Sequence, residues 1–126
     1  MRRRGSSKRI YVDVNVFYYY LTANPEFGER AKWYLEKYSG FLATSSLSVW
    51  LLYVLTRVKD ITSILEEVGV ELLPLDVHVL KAAGRLEKPR DFEDRIHLAT
   101  AKIYGITTII SNDEDFDGIT GIERVF

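Results

Sequence analysis

The chain of 126 residues contains no cysteine. That excludes disulfides, thiolate zinc sites and cysteine nucleophiles, and leaves oxygen or histidine ligands for any metal. No apolar run approaches the roughly 20 residues that a membrane span needs, so no membrane association is expected. Neither sign of charge dominates: 17 Lys and Arg stand against 18 Asp and Glu, a formal net charge of -1. This argues against a strongly basic nucleic-acid binder, although the average combines a basic start with an acidic finish. There is no internal repeat and no low-complexity tract, and the length suits one domain with one real core. Residues 1–8 are rich in arginine, lysine and small polar side chains, without the apolar centre of a secretory signal. A disordered basic arm over 1–8, a domain over 9–126 and a cytoplasmic location are therefore expected.

What is present reads as alternating strands and helices. Residues 9–14 form a short β-branched and aromatic run ending near Asp13, the composition of a buried first strand. Bulky apolar residues from Val16 to Leu21 suggest a helix, Asn24 and Pro25 break it, and a second helix is expected over 25–38. Ser39 and Gly40 end that helix before a strand over 41–44, and Ser45 and Ser46 are good caps for a helix over 48–58. A short helix over 60–68 stops at Gly69, a strand over 70–73 follows, and Asp76 caps a helix over 77–87. Asp91 opens a further helix through Tyr104, Gly105 provides the exit, and 107–110 is a strand. An acidic loop over 112–117 leads to an edge strand over 122–125.

This order specifies an α/β fold of three layers, α/β/α, around a mainly parallel sheet of four to five strands joined by right-handed crossovers. Ligand sites in such folds lie beyond the carboxyl ends of the strands. Asp13 leaves the first strand, Asp113 leaves the strand over 107–110, and Asp94 begins the helix that leads into that strand. All three carboxylates can meet at one edge.

Converging carboxylates repel unless a cation or donor compensates. Oxygen-only ligands favour hard cations such as magnesium or manganese. A cation held there could activate water for in-line attack on a phosphodiester, which makes hydrolysis of a nucleic-acid backbone the natural chemistry. Each aspartate also has a purely structural account: Asp94 as a helix-dipole partner, Asp113 in an Asx-turn. Asp13 is harder to explain that way, because an acid at the inner end of an apolar strand costs desolvation unless something pairs with it. Asn15 either holds the Asp13 carboxylate or caps the helix starting at Val16. A phosphatase-like doubly wound domain with an aspartate nucleophile is a different reading, but the stretch Asp13-Val14-Asn15 lacks the second acid it requires.

The sequences Tyr11-Val12-Asp13-Val14-Asn15-Val16-Phe17, Asp94-Arg95-Ile96-His97-Leu98-Ala99-Thr100-Ala101 and Ile109-Ile110-Ser111-Asn112-Asp113-Glu114-Asp115-Phe116 resemble the PIN domain, and within it the VapC-type toxin ribonucleases. The resemblance spans about 9–126. It implies a metal-dependent endoribonuclease acting on single-stranded RNA with Mg2+ or Mn2+, a homodimer, and a small antitoxin as partner. It also implies Asp13, Asp94 and Asp113 as catalytic metal ligands, with Asn15, Ser111 and Asp115 in support. One position departs from the family pattern. A glutamate is usual early in the helix after the second strand, where this chain has Leu51. The alternative is therefore a degenerate PIN domain that binds RNA or protein without cleaving.

Other residues invite weighing. Glu93 adjoins Asp94, but neighbouring helical residues point about 100° apart. His97, one turn beyond Asp94, either touches phosphate or is a buried structural residue. Phe17, Tyr18, Tyr19 and Tyr20 could stack on bases, although half of them must face the core. Leu47, Leu51, Val54, Leu55 and Val58 are expected to form a packed stripe, and Trp50 with Tyr53 a dimer surface.

Overall fold

The computed structural model describes residues 8–126, so the expected basic arm lies outside it except for Lys8. Five strands form one sheet in the order β3-β2-β1-β4-β5, with every pairing parallel. In chain order the elements are β1 (Ile10–Val12), α1 (Val14–Leu21), α2 (Gly28–Lys37), β2 (Leu42–Ser45), α3 (Ser46–Thr56) and α4 (Ile61–Glu67). They continue through β3 (Glu71–Leu73), α5 (Val77–Arg85), α6 (Phe92–Ile103) and β4 (Thr108–Ile110). A 3-10 turn (Glu114–Phe116) precedes β5 (Glu123–Val125).

The strand alternation separates two apolar layers, since successive side chains point to opposite faces. Val12, Leu42 and Ile110 meet Val16, Phe17, Leu52 and Leu65 of α1, α3 and α4 on one face. Tyr11, Ala43 and Ile109 meet Leu98 and Ala101 of α6 on the other. Helix α5 packs on α6 through Val79, Ala83, Ile96 and Ala99. β1 lies at the centre of the sheet, with Tyr11 opposite both Ala43 and Ile109, so whatever leaves its end sits in the middle of the edge. Among the described residues no helix is long and apolar enough to cross a membrane.

Several boundaries differ from the sequence reading. β1 stops at Val12, and Asp13 is already the N-cap of α1, which starts at Val14 rather than Val16. Asn15 therefore does not cap this helix. Asn24 does act as a capping residue, but its Oδ1 accepts from Glu26 N (2.9 Å) and Phe27 N (2.8 Å) in a turn, and α2 begins only at Gly28. α3 starts at Ser46, because Ser45 Oγ accepts from Leu47 N (3.0 Å). It ends at Thr56, with Arg57 in the left-handed region at φ 61°.

The packed stripe of α3 is also different. Ser48 and Leu52 are buried, whereas Val54, Leu55 and Val58 are exposed. A hydrogen bond between the hydroxyls of Ser48 and Thr44 (2.7 Å) fixes Ser48 against β2, and Leu52 lies one turn further on that same face. Gly69 and Gly105, at φ +87° and +70°, follow α4 and α6 as the sequence suggested.

Candidate metal centre

The site is assembled where β1 and β4 end and α6 begins. Asp13 is 3% exposed, and although it is an N-cap, its carboxylate accepts no backbone N–H of α1. Its Oδ2 instead accepts from Ser111 Oγ at 2.7 Å. The same Ser111 Oγ accepts from Asp113 N at 2.9 Å, so one hydroxyl ties the ends of β1 and β4 together. Ser111 is itself fixed by β5: its N–H donates to Val125 O (3.0 Å), and its carbonyl accepts from Arg124 Nη1 (3.0 Å). Arg124 also holds Asp117 through two contacts of 2.8 and 3.1 Å.

Asp94 lies buried in the first turn of α6, whose cap is Asp91. Asp113 forms the anticipated Asx-turn, with Oδ1 accepting from Asp115 N at 2.9 Å. That turn brings Asp115 to the same side as Asp113. Asp94, Asp113 and Asp115 each offer a carboxylate oxygen, and the three oxygens lie within 4.8 Å of one another. Of the sequence-derived residues, the structure brings Asp94 and Asp113 together with Asp115, and sets Asp13 beside them through Ser111. Asn15 is exposed and makes no side-chain hydrogen bond among the described residues.

The electrostatics are those of a site short of positive charge. Burial, a hydrogen bond with Asp113 and the charge of Asp13 push the Asp94 carboxyl up to about 8. Burial and the neighbouring charges of Asp91 and Asp13 raise Glu93 as well. Three oxygens at this spacing around an unfavourably ionised carboxyl fit a hard divalent cation. No acid comes from α3, where Leu51 is half-buried against the apolar layer of α1–α4.

His97 has a larger part than the sequence indicated. It is fully buried, which rules out phosphate contact in this conformation. Its Nδ1 lies 2.5 Å from the Tyr11 hydroxyl, which accepts from Ser45 N at 3.1 Å. Its Nε2 has no hydrogen-bond partner and lies 3.8 Å from Asp13 Oδ1 and 4.0 Å from Glu93 Oε2. Burial lowers the His97 imidazole and raises the Tyr11 phenol from their ordinary values. The sequence carried two partial signals: His97 follows Asp94 by one turn, and Tyr11 precedes Asp13 by two residues on the same strand face.

Of the tyrosines proposed for base stacking, Tyr18 and Tyr19 pack on the apolar layer and Tyr20 is exposed. Tyr19 also packs on Phe27, with the two rings tilted by 35° and their centroids 5.0 Å apart, and accepts from Asn112 Nδ2 at 3.3 Å.

The sequence profile of the PIN domain matches residues 10–122. Among solved structures, the fold resembles a toxin-antitoxin complex from Klebsiella pneumoniae, at 19% identity and a TM-score of 0.71, covering 90% of this chain and 95% of that one. DNA-bound VapBC from Salmonella typhimurium aligns at 17% identity and a TM-score of 0.67, over 93% and 96% of the two chains. VapBC2 from Rickettsia felis, bound to a DNA fragment from its promoter, aligns at 17% and 0.64, over 92% and 96%. No curated protein matches the sequence.

Proposed function

The chain belongs to the PIN domain family, and from that premise we propose that it is a metal-dependent endoribonuclease of the VapC type, the cytoplasmic toxin of a toxin–antitoxin pair. The observation that carries this reading is the cluster of Asp94, Asp113 and Asp115, with Asp13 tied to it through Ser111. Asp13, Asp94 and Asp113 would hold Mg2+ or Mn2+, with Asp115 beside Asp94 and Asp113 adding a further carboxylate. When bound, such a cation supplies Lewis-acid polarisation of a phosphodiester oxygen and acidifies water at neutral pH. Ser111 keeps the Asp13 carboxylate oriented, and the Asx-turn keeps Asp113 and Asp115 on one side.

Single-stranded RNA is the proposed substrate. Lys88 and Arg90 line a polar groove with Glu114, Asp115 and Asp117, so one wall of that groove is shared with the acidic cluster. Neither cation forms an ion pair among the described residues, which leaves both available for phosphate oxygens. The solved complexes named above support a small antitoxin as partner. A second copy of the chain would cover the outward face of α3, where Trp50, Val54 and Leu55 are exposed, together with exposed Val58 just beyond its end.

The packing of Leu51 favours a second reading, a degenerate PIN domain that binds RNA or protein without cleaving it. One experiment separates the two. Labelled single-stranded RNA is incubated with the protein in Mg2+, Mn2+ or excess chelator, beside Asp94→Asn and Leu51→Glu variants. Cleavage that requires metal, is lost in Asp94→Asn and increases in Leu51→Glu supports a nuclease working with a reduced acidic set. An inactive native protein with an active Leu51→Glu variant supports the degenerate reading.

A further inference from the structure

We propose that His97 is a positioning residue, held by Tyr11 as the Nε2–H tautomer so that it donates to Asp13 Oδ1 and aims that carboxylate at the acidic cluster. The inference rests on reading the cluster as a cation site.

The argument starts at Ser45. Its backbone N–H donates to the Tyr11 hydroxyl at 3.1 Å, occupying an acceptor position on that oxygen. We assign the phenolic proton to His97 Nδ1, which at 2.5 Å is closer to that hydroxyl than the Ser45 N–H is. A neutral imidazole that accepts at Nδ1 carries its hydrogen on Nε2. A doubly protonated ring would carry one there too, so either charge state presents Nε2–H to the same place.

That place is the acidic site. Among the described residues Nε2 is the one fully buried side-chain nitrogen or oxygen without a hydrogen-bond partner. Buried donors are almost always satisfied. The carboxylate oxygens nearest to it are Asp13 Oδ1 at 3.8 Å and Glu93 Oε2 at 4.0 Å. Asp13 is the better partner, because its side chain is 4% exposed and that of Glu93 is 43% exposed. The gap is roughly 0.9 Å longer than an ordinary N–H···O bond, within reach of a small side-chain rotation. Ser111 already holds Oδ2 at 2.7 Å. With His97 on Oδ1, both carboxylate oxygens are oriented, and the relay runs from β2 through β1 and α6 into the site.

The arrangement resembles the outer-shell partners that orient metal ligands elsewhere, whose loss typically costs 10–100-fold in metal affinity. The roles are inverted here: the histidine is the outer residue and the carboxylate the inner one.

The test combines nitrogen NMR with metal titration. The sequence has two histidines, and exposed His78 serves as an internal reference. In metal-free, 15N-histidine-labelled protein, His97 should show a protonated Nε2 and an acceptor Nδ1, and Tyr11→Phe should shift that balance. By calorimetry, His97→Leu should weaken Mn2+ binding about tenfold, and His97→Gln, whose amide can replace the donor, should recover most of it. A Nδ1–H tautomer in the native protein would overturn the proposal. So would equal Mn2+ affinity in the native and His97→Leu proteins, or equal losses in His97→Leu and His97→Gln. If His97→Leu fails to fold, the tautomer and the comparison of His97→Gln with native decide the question. Failure of the native protein to bind Mn2+ would overturn the cation site itself, and the tautomer, measured without metal, keeps the two failures distinct.

Discussion

Asp94 is where the chemistry of the site is most exposed to measurement. Its folded-state pKa of about 8 lies above the ordinary 3.8, so the folded protein binds a proton more tightly than the unfolded chain does. The stabilisation from that proton is complete below about pH 4 and is lost as pH rises through 8. Metal-free protein should therefore show a falling Tm between pH 6 and pH 9 in a chelator-containing thermal series. Asp94→Asn should flatten that fall, because the amide has no proton to lose. A divalent cation competes with the same proton, so added Mn2+ should raise Tm more at pH 9 than at pH 6. A slope unchanged by Asp94→Asn would show that the pH dependence arises elsewhere. At this scale the sequence located Asp13, Asp94 and Asp113 at one edge by topology alone, because strand ends and helix starts determine where a backbone position lies. It placed Asp115 only in a supporting role. Its entry into the group with Asp94 and Asp113 depends on the Asx-turn of Asp113, a side-chain conformation that spacing does not specify. The Tyr11–His97 contact joins positions 86 residues apart and becomes visible only once α6 is docked on the sheet.

Among the elements, α3 best separates what patterning can and cannot decide. Nearly every residue from 47 to 55 is apolar, so the sequence contains no polar face from which to infer the buried one. The Thr44–Ser48 hydroxyl pair and the Ser45 cap set the rotation of the helix instead. Leu52 is fully buried, and Leu55 is 51% exposed. Leu52→Ala should therefore cost about 2–5 kcal/mol in denaturant unfolding, and Leu55→Ala should change the stability of the monomer by no more than about 0.5 kcal/mol. Similar costs for both would mean that the helix is rotated from the position described. Caps were easier to read than faces, because a cap is a local interaction. Asp76 accepts from Val79 N at 3.0 Å, and Asp91 from Glu93 N at 3.2 Å, both as their positions before α5 and α6 suggested. Asp76→Ala should cost about 0.5–2 kcal/mol by the same unfolding measurement, the usual range for a lost N-cap.

At the scale of the whole molecule, a fully parallel sheet requires both faces covered. The chain meets that requirement with α1–α4 on one face and α6, backed by α5, on the other. The order of strands and helices was enough to anticipate this, since crossover handedness leaves few alternatives. Sequence order does not determine what remains uncovered. Trp50 is 60% exposed, and Leu55, Val54 and Val58 are 51%, 39% and 38% exposed on the same helix or just beyond it. Trp50 and Tyr53 lie 6.0 Å apart there, giving aromatic area of the kind enriched at protein interfaces. Two copies meeting through this face by a two-fold axis would bury it twice with a single patch, the most economical closed assembly. Sedimentation at micromolar concentration should then find a dimer for the native chain. Trp50→Glu and Leu55→Glu should each give monomers, with monomer stability changed by no more than about 0.5 kcal/mol, because neither side chain belongs to the core. Monomeric native protein would mean that a different partner covers α3, and its Trp50→Glu variant should then lose that partner while retaining the acidic site and its cation binding.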